Sequence, residues 1–122
     1  GLGEVIGDAV SSANLPIVVV AFVVAALVRI SVGSSTVAMT MAAGIVAALP
    51  GIAELSPLYL ACTTAAVAGG ATVCSHFNDS GFWLVKSLVG MDEKTTLKTW
   101  TIMETLVGVT GFIVALIISM FA

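Results

Sequence analysis

The chain has 122 residues, 59% of them hydrophobic and 9% charged, with a formal net charge of -3. An ordinary soluble domain carries about a quarter charged residues, so a soluble fold would have too few charges to cover its surface. With no basic stripe and no interleaved aromatic platform, nucleic-acid binding gets no support either.

The charges are also unevenly placed. Residues 9–28, 30–53, 55–75 and 105–122 carry none. About 18 or more uncharged apolar residues suffice for a helix to cross roughly 30 Å of hydrocarbon. The expected fold is therefore all-α: a polytopic membrane helical bundle of about four to five membrane segments, some of them discontinuous, Gly/Ser-broken helices or hairpins. Residues 1–122 read as a single membrane domain. The chain opens on Gly1, and Glu4 and Asp8 stand where a signal peptide needs positive charge. It is therefore expected to be a fragment, or the ordered part, of a longer protein.

In chain order, Gly3 and Gly7 form a short G-x-x-x-G beside charged residues. Asn14-Leu15-Pro16 marks a helix entry, Pro being tolerated in a first turn. Ile17 to Val28 is apolar and rich in Val and Ala, and Arg29 ends the run. Ile30 to Ala53 is long enough to span, yet it contains Ser31, Gly33, Ser34, Ser35, Thr36, Thr40 and Gly44. Such residues weaken a helix and expose backbone that hydrocarbon cannot solvate, so the stretch belongs against neighbours or along a cavity. Ser56 to about Ser75 repeats that character with Thr63, Thr64, Gly69, Gly70 and Thr72. Its Gly69-Gly70-Ala71-Thr72-Val73 echoes Gly33-Ser34-Ser35-Thr36-Val37. Lys86 to Lys98 reads as a polar loop, cytoplasmic by its lysines. A last helix is expected to start near Thr99 or Trp100, with Trp100 as an interfacial anchor and Glu104 about one turn further in.

Two clusters can carry chemistry. Arg29 is costly inside a span unless paired or hydrated. The Gly33-Ser34-Ser35-Thr36 that follows can break a helix and present N–H and hydroxyl donors at a half-helix N-terminus, which suits a carboxylate. The alternative is a snorkelling Arg29 beside a small-residue packing face. The second cluster is Ser75-His76-Phe77-Asn78-Asp79-Ser80-Gly81. On a helix, His76, Asp79 and Ser80 would share one face. His and Asp exchange protons when their surroundings shift them, and Asn78 and Ser80 suit hydroxyls. The alternative is turn or cap chemistry.

Other chemistries find no footing. Cys62 and Cys74 form no C-x-x-C and meet a single His, so no zinc set is present. There is neither a G-x-S-x-G nor an H-E-x-x-H motif, and adjacent His76 and Asp79 do not make a hydrolytic triad. No enzyme activity and no cofactor are expected. A competing class is a non-transporting membrane module in which small-residue faces merely pack helices. Packing by itself would not need Arg29, His76 and Asp79 within or beside the spans.

Three segments resemble the gluconate permease family. Arg29 to Ile45 is similar to its R-I-x-x-G-S-x-T-V-A-M-x-T-A-A-G-I pattern, with Met41 where Thr is frequent. Ser75-His76-Phe77-Asn78-Asp79-Ser80-Gly81-Phe82-Trp83 resembles its S-H-x-N-D-S-G-F-W signature. Lys98-Thr99-Trp100-Thr101 with Glu104-Thr105 resembles its K-T-W-T-x-x-E-T stretch. Order and spacing agree over nearly the whole chain.

The resemblance implies a multi-pass protein of the bacterial inner membrane that takes up gluconate or a related sugar or hydroxy acid with protons. The partners it implies are that carboxylate substrate, protons, the lipid bilayer, the remainder of the parent transporter and a second copy in a homodimer, but no nucleic acid. It raises Ser34, Ser35 and Thr36 as ligands of the substrate carboxylate and Asn78, Asp79 and Ser80 as ligands of its hydroxyls. Arg29 becomes a charge partner for the anion or for Asp79. Asp79 and His76 are the expected proton-coupling residues, ahead of Glu104.

Overall fold

The computed structural model describes the backbone of residues 1–122 and the side chains of all but residues 2 and 3. Gly3 of the G-x-x-x-G pair therefore lies outside the described side chains. The described residues form helices joined by turns and short irregular segments, and include no strand. The helices are α1 (Leu2–Ala13), α2 (Ile17–Val32), α3 (Ser35–Ala47), α4 (Pro57–Gly70), α5 (Ser80–Val89), α6 (Glu93–Thr96) and α7 (Ile102–Ser119). A 3-10 turn covers Ile52–Glu54, and a π-helical segment, Leu97–Thr101, joins α6 to α7.

Several boundaries differ from those the sequence suggests. Arg29 does not end a helix: α2 continues one turn to Val32, and Gly33 closes it in the left-handed conformation at φ 82°. The stretch from Ile30 to Ala53 is not one segment, because Gly33 and Ser34 separate α2 from α3 and α3 stops at Ala47. Lys86 to Lys98 is not a loop. Helix α5 runs to Val89, Gly90 turns the chain, and Asp92 caps the next helix by accepting from the Thr95 N–H at 2.7 Å. Hydrogen bonds from Thr95 hold the exposed Asp92 carboxyl below its ordinary range.

The last helix thus starts at Glu93, a turn or more before the expected start. Residues 93–119 form one continuous helix, long and apolar enough to cross a membrane, about 40 Å at 1.5 Å per residue. The 16 residues of α2 reach only about 24 Å. That length fits a helix broken near its polar end.

The core lies where α4 packs between α2 and α7, with α3 against α2. Val18, Ala21 and Ala25 of α2, Ala42 and Val46 of α3, Cys62 and Ala66 of α4 and Ala115 of α7 are among its buried members. Most of these side chains are small, and small residues let helix backbones approach. Phe22 and Phe112 stack across the α2–α7 side with ring centroids 4.1 Å apart.

Glycines let α4 cross both neighbours closely, α2 at Gly70 and α7 at Gly69 and Gly108. A Cβ on Gly69 would stand 2.7 Å from the Gly108 carbonyl oxygen, and one on Gly108 would press on the Gly69 carbonyl. Gly108→Ala should therefore push α7 off α4 and cost about 1–3 kcal/mol by overpacking. A thermal melt in detergent checks this. An unchanged midpoint would mean that the crossing is looser than described.

Candidate functional site

A helix that ends inside a bundle leaves its last carbonyls without partners, and hydrocarbon supplies none. The end of α2 meets this need with side chains from residues 75–79. Asn78 Nδ2 donates to the Ile30 carbonyl at 2.8 Å and approaches the Ser31 carbonyl at 3.4 Å. His76 Nε2 lies 3.1 Å from the same Ile30 carbonyl, to which its Nε2–H tautomer donates. Arg29 Nη1 donates to the Gly33 carbonyl. The segment is thereby clipped onto the broken end of α2.

Beneath the clip is a buried ion pair. Arg29 Nη2 donates to Asp79 Oδ2 at 2.6 Å, with the two side chains 2% and 13% exposed. Arg29 is thus a buried partner of Asp79 and does not snorkel. Its Nε is buried with no partner. Asp79 also serves its own backbone: as the N-cap of α5, it accepts the Gly81 N–H on Oδ1 at 2.9 Å. A carboxylate at that position favours the helix electrostatically.

The two helix starts lie side by side. Gly33 is pressed against the Asn78 peptide so closely that a Cβ there would sit 2.5 Å from the Asn78 carbonyl carbon. The residues that follow them, Ser34 and Asp79, are the N-caps of α3 and α5. They differ in charge. Asp79 gives the α5 start a carboxylate, whereas Ser34 offers α3 only a neutral hydroxyl that accepts from the Val37 N–H at 3.3 Å. The first turn of α3 carries no acidic residue. Ser34 and Ser35 are half-buried, and Thr36 and Ser80 are exposed.

The expected residues are thus brought together with altered roles. Arg29, Ser34, Asn78, Asp79 and His76 converge through the Gly33–Asn78 contact, whereas Thr36, the second residue of α3, is exposed. His76, Asp79 and Ser80 do not share a helix face. Residues 76–79 form a turn, with the Asp79 N–H on the His76 carbonyl, and α5 begins only at Ser80. The two echoing glycine runs both fall at breaks, but of opposite sense: Gly33 precedes a helix start, and Gly69-Gly70 ends α4.

Sequence reasoning missed the other wall. Ser75 is fully buried and donates to Asp79 Oδ2 at 2.5 Å. Trp100 Nε1 donates to Ser75 Oγ at 2.9 Å, and the Thr101 hydroxyl donates to the Ser75 carbonyl. Thr105 Oγ1 accepts the Cys74 N–H at 3.0 Å. Trp100 is therefore a donor into the site, a role the sequence did not suggest. The available signal was the i, i+1, i+5 set of Trp100, Thr101 and Thr105, which only a π-turn and a packed neighbour make convergent.

Comparison with known proteins completes the description. The family described as GntP family permease matches residues 1–121. The chain is 46% identical over 119 residues to a low-affinity gluconate transporter of Escherichia coli (strain K12), covering 96% of this chain and 26% of that protein. It is 40% identical over 120 residues to a gluconate permease of Pseudomonas aeruginosa, covering 98% and 26%. It is 36% identical over 119 residues to a Gnt-II system L-idonate transporter of E. coli, again covering 98% and 26%. The chain thus spans about a quarter of the length of these curated relatives. No solved structure matches it.

Proposed function

Because the chain belongs to the GntP family of permeases, we propose that it is the C-terminal membrane domain of a secondary transporter that takes up gluconate or a related sugar acid with protons. The observation that carries this reading is the junction of the two N-caps over a buried ion pair. One helix start already has its carboxylate, Asp79, and the other, at Ser34, has none. The relatives named for gluconate and L-idonate point to polyhydroxylated carboxylates as the substrate class.

In this reading Ser34, Ser35 and Thr36, with the first N–H groups of α3, receive the substrate carboxylate. Asn78, Asp79 and Ser80 meet its hydroxyls. Arg29 links binding to the proton: a substrate anion competes with Asp79 for the guanidinium, and an Asp79 released from Arg29 is free to accept a proton. His76, at the mouth of the same clip, is the second proton-coupling group. The membrane arrangement goes with it. Residues 93–119 span in full, α2 with α3 forms a discontinuous crossing, and α4 with α5 forms another. The domain sits in the bacterial inner membrane against the rest of the transporter, with a homodimer as the assembly. A module that only packs helices has no use for a buried Arg29–Asp79 pair, which is costly to desolvate.

Labelled gluconate uptake tests the reading, in cells lacking their own permease and expressing the full-length protein that carries this segment. Uptake should rise as external pH falls, and unlabelled L-idonate should compete. Ser34→Ala, which removes a cap and a carboxylate donor, should raise the KM about ten-fold, equivalent to ~1.4 kcal/mol. Absence of sugar-acid uptake despite confirmed membrane expression would overturn the function. An unchanged KM would remove α3 from the site.

A further inference from the structure

We propose that Trp100 and Ser75 are positioning residues that set the Asp79 carboxylate through a one-way hydrogen-bond chain built on the π-turn of the last helix. The inference rests on the transporter reading and extends it to residues of α7's approach. Its first support is directional. An indole Nε1–H can only donate, and a serine hydroxyl has one proton. Trp100 donates to Ser75 Oγ at 2.9 Å, so the Ser75 proton is left to point at Asp79 Oδ2, 2.5 Å away. Arg29 Nη2 meets the same Oδ2 from the opposite partner helix, at 2.6 Å. The position of Oδ2 is thus fixed by one donor from α2 and one relayed from the last helix.

The second support is backbone geometry. Residues 93–119 form an α-helix interrupted only at Leu97–Thr101, where the winding is π. Such single π-turns inside α-helices concentrate at functional sites because they rotate side chains out of the regular register. Here the π-turn places two consecutive side chains, Trp100 and Thr101, on one residue. The indole takes the Ser75 hydroxyl and the threonine takes its carbonyl. In regular α-winding, neighbours in sequence diverge by about 100°, so straightening the turn withdraws one or both. Loss of the Trp100 donor frees the Ser75 hydroxyl to rotate away from Asp79. A local change of winding in the last helix is thereby read at the ion pair although, among the described side chains, no residue of that helix hydrogen-bonds Arg29.

Ser75 is fully buried, so water cannot replace the missing donor. The other titratable or charged groups around Asp79 are Arg29 of α2, Glu104 of α7, which lies within electrostatic reach of both members of the pair, and His76 three residues before it. None of them hydrogen-bonds Ser75 among the described residues.

The test compares Trp100→Phe, Ser75→Ala and the double variant in the full-length permease. Labelled gluconate uptake is measured across external pH and divided by membrane abundance from immunoblots. Phe keeps an aromatic ring against the loop while removing the donor. Each single variant should lower maximal uptake per molecule about ten-fold and displace its pH profile in the same sense. The double variant should be no worse than either single one, because both remove the same relay. Multiplying effects, or profiles that stay in place, would overturn the inference and leave the transporter reading intact. So would variants whose only defect is lower abundance. A wild-type protein that takes up no sugar acid would overturn both.

Discussion

Replacing Arg29 with methionine is expected to destabilise the domain by about 3–5 kcal/mol and to abolish uptake. The guanidinium is the partner of the Asp79 carboxylate and of the Gly33 carbonyl, and its side chain is 2% exposed. Removing one member of a buried pair leaves the other charge uncompensated, which is why such changes cost more than the pair itself contributes. The companion changes separate stability from transport. Asp79→Asn keeps a side-chain oxygen for the Gly81 N–H, so α5 keeps its cap. The double variant Arg29→Met with Asp79→Asn has no orphaned charge and should recover most of the lost stability. On the proposed mechanism uptake should remain absent in all three, since an exchange of Arg29 between Asp79 and the substrate would need both charges. Arg29→Lys should not rescue it, because an ammonium lacks the planar fork that reaches two acceptors at once. Melting curves in detergent and uptake per molecule read the two quantities. Transport surviving in Arg29→Met would remove the ion pair from the mechanism.

The second large effect is expected at Gly33. Its backbone sits at φ 82°, a conformation that costs an L-residue roughly 1–2 kcal/mol. A Cβ would also drive into the Asn78 peptide, 2.5 Å from its carbonyl carbon. The peptide must move, and with it the Asn78 amide that caps Ile30. Gly33→Ala should thus cost about 3 kcal/mol or more in all and should impair uptake beyond what lowered abundance explains. Gly51 supplies the control. It has nearly the same backbone conformation, φ 80°, but a Cβ there meets nothing within 4 Å. Gly51→Ala should show the conformational cost alone, on the order of 1–2 kcal/mol. Equal effects at the two glycines would mean that the Gly33–Asn78 contact is not rigid.

Gly33 also shows how far a sequence can be read. Gly-Ser-Ser-Thr after an arginine announces a broken helix with a restart, because those residue types act locally. The break at Gly33 and the all-helical class followed from the residues themselves, and three long motifs pointed to the family; that Ser34 caps the restart came from the structure. The loop expected at Lys86 to Lys98 failed for an equally local reason. Gly90 and the Asp92 cap compress the turn to a few residues, and charged residues are good helix formers that need not mark a loop.

What the sequence determined, then, is what each stretch does to its own backbone and solvent: charge-free runs that require hydrocarbon, glycines and hydroxyls that interrupt them, and carboxylates or serines that restart them. Which interruptions face each other was decided by packing alone. Arg29 and Asp79 are 50 residues apart and meet because the close crossing at Gly70 sets the end of α4 against α2 and the clip of His76 and Asn78 ties the following segment to α2. Trp100 reads as an interfacial anchor in sequence because an isolated indole prefers that boundary. It becomes a donor to Ser75 only after a π-turn rotates it inward, where a buried hydroxyl has no water and must find its partners in the protein.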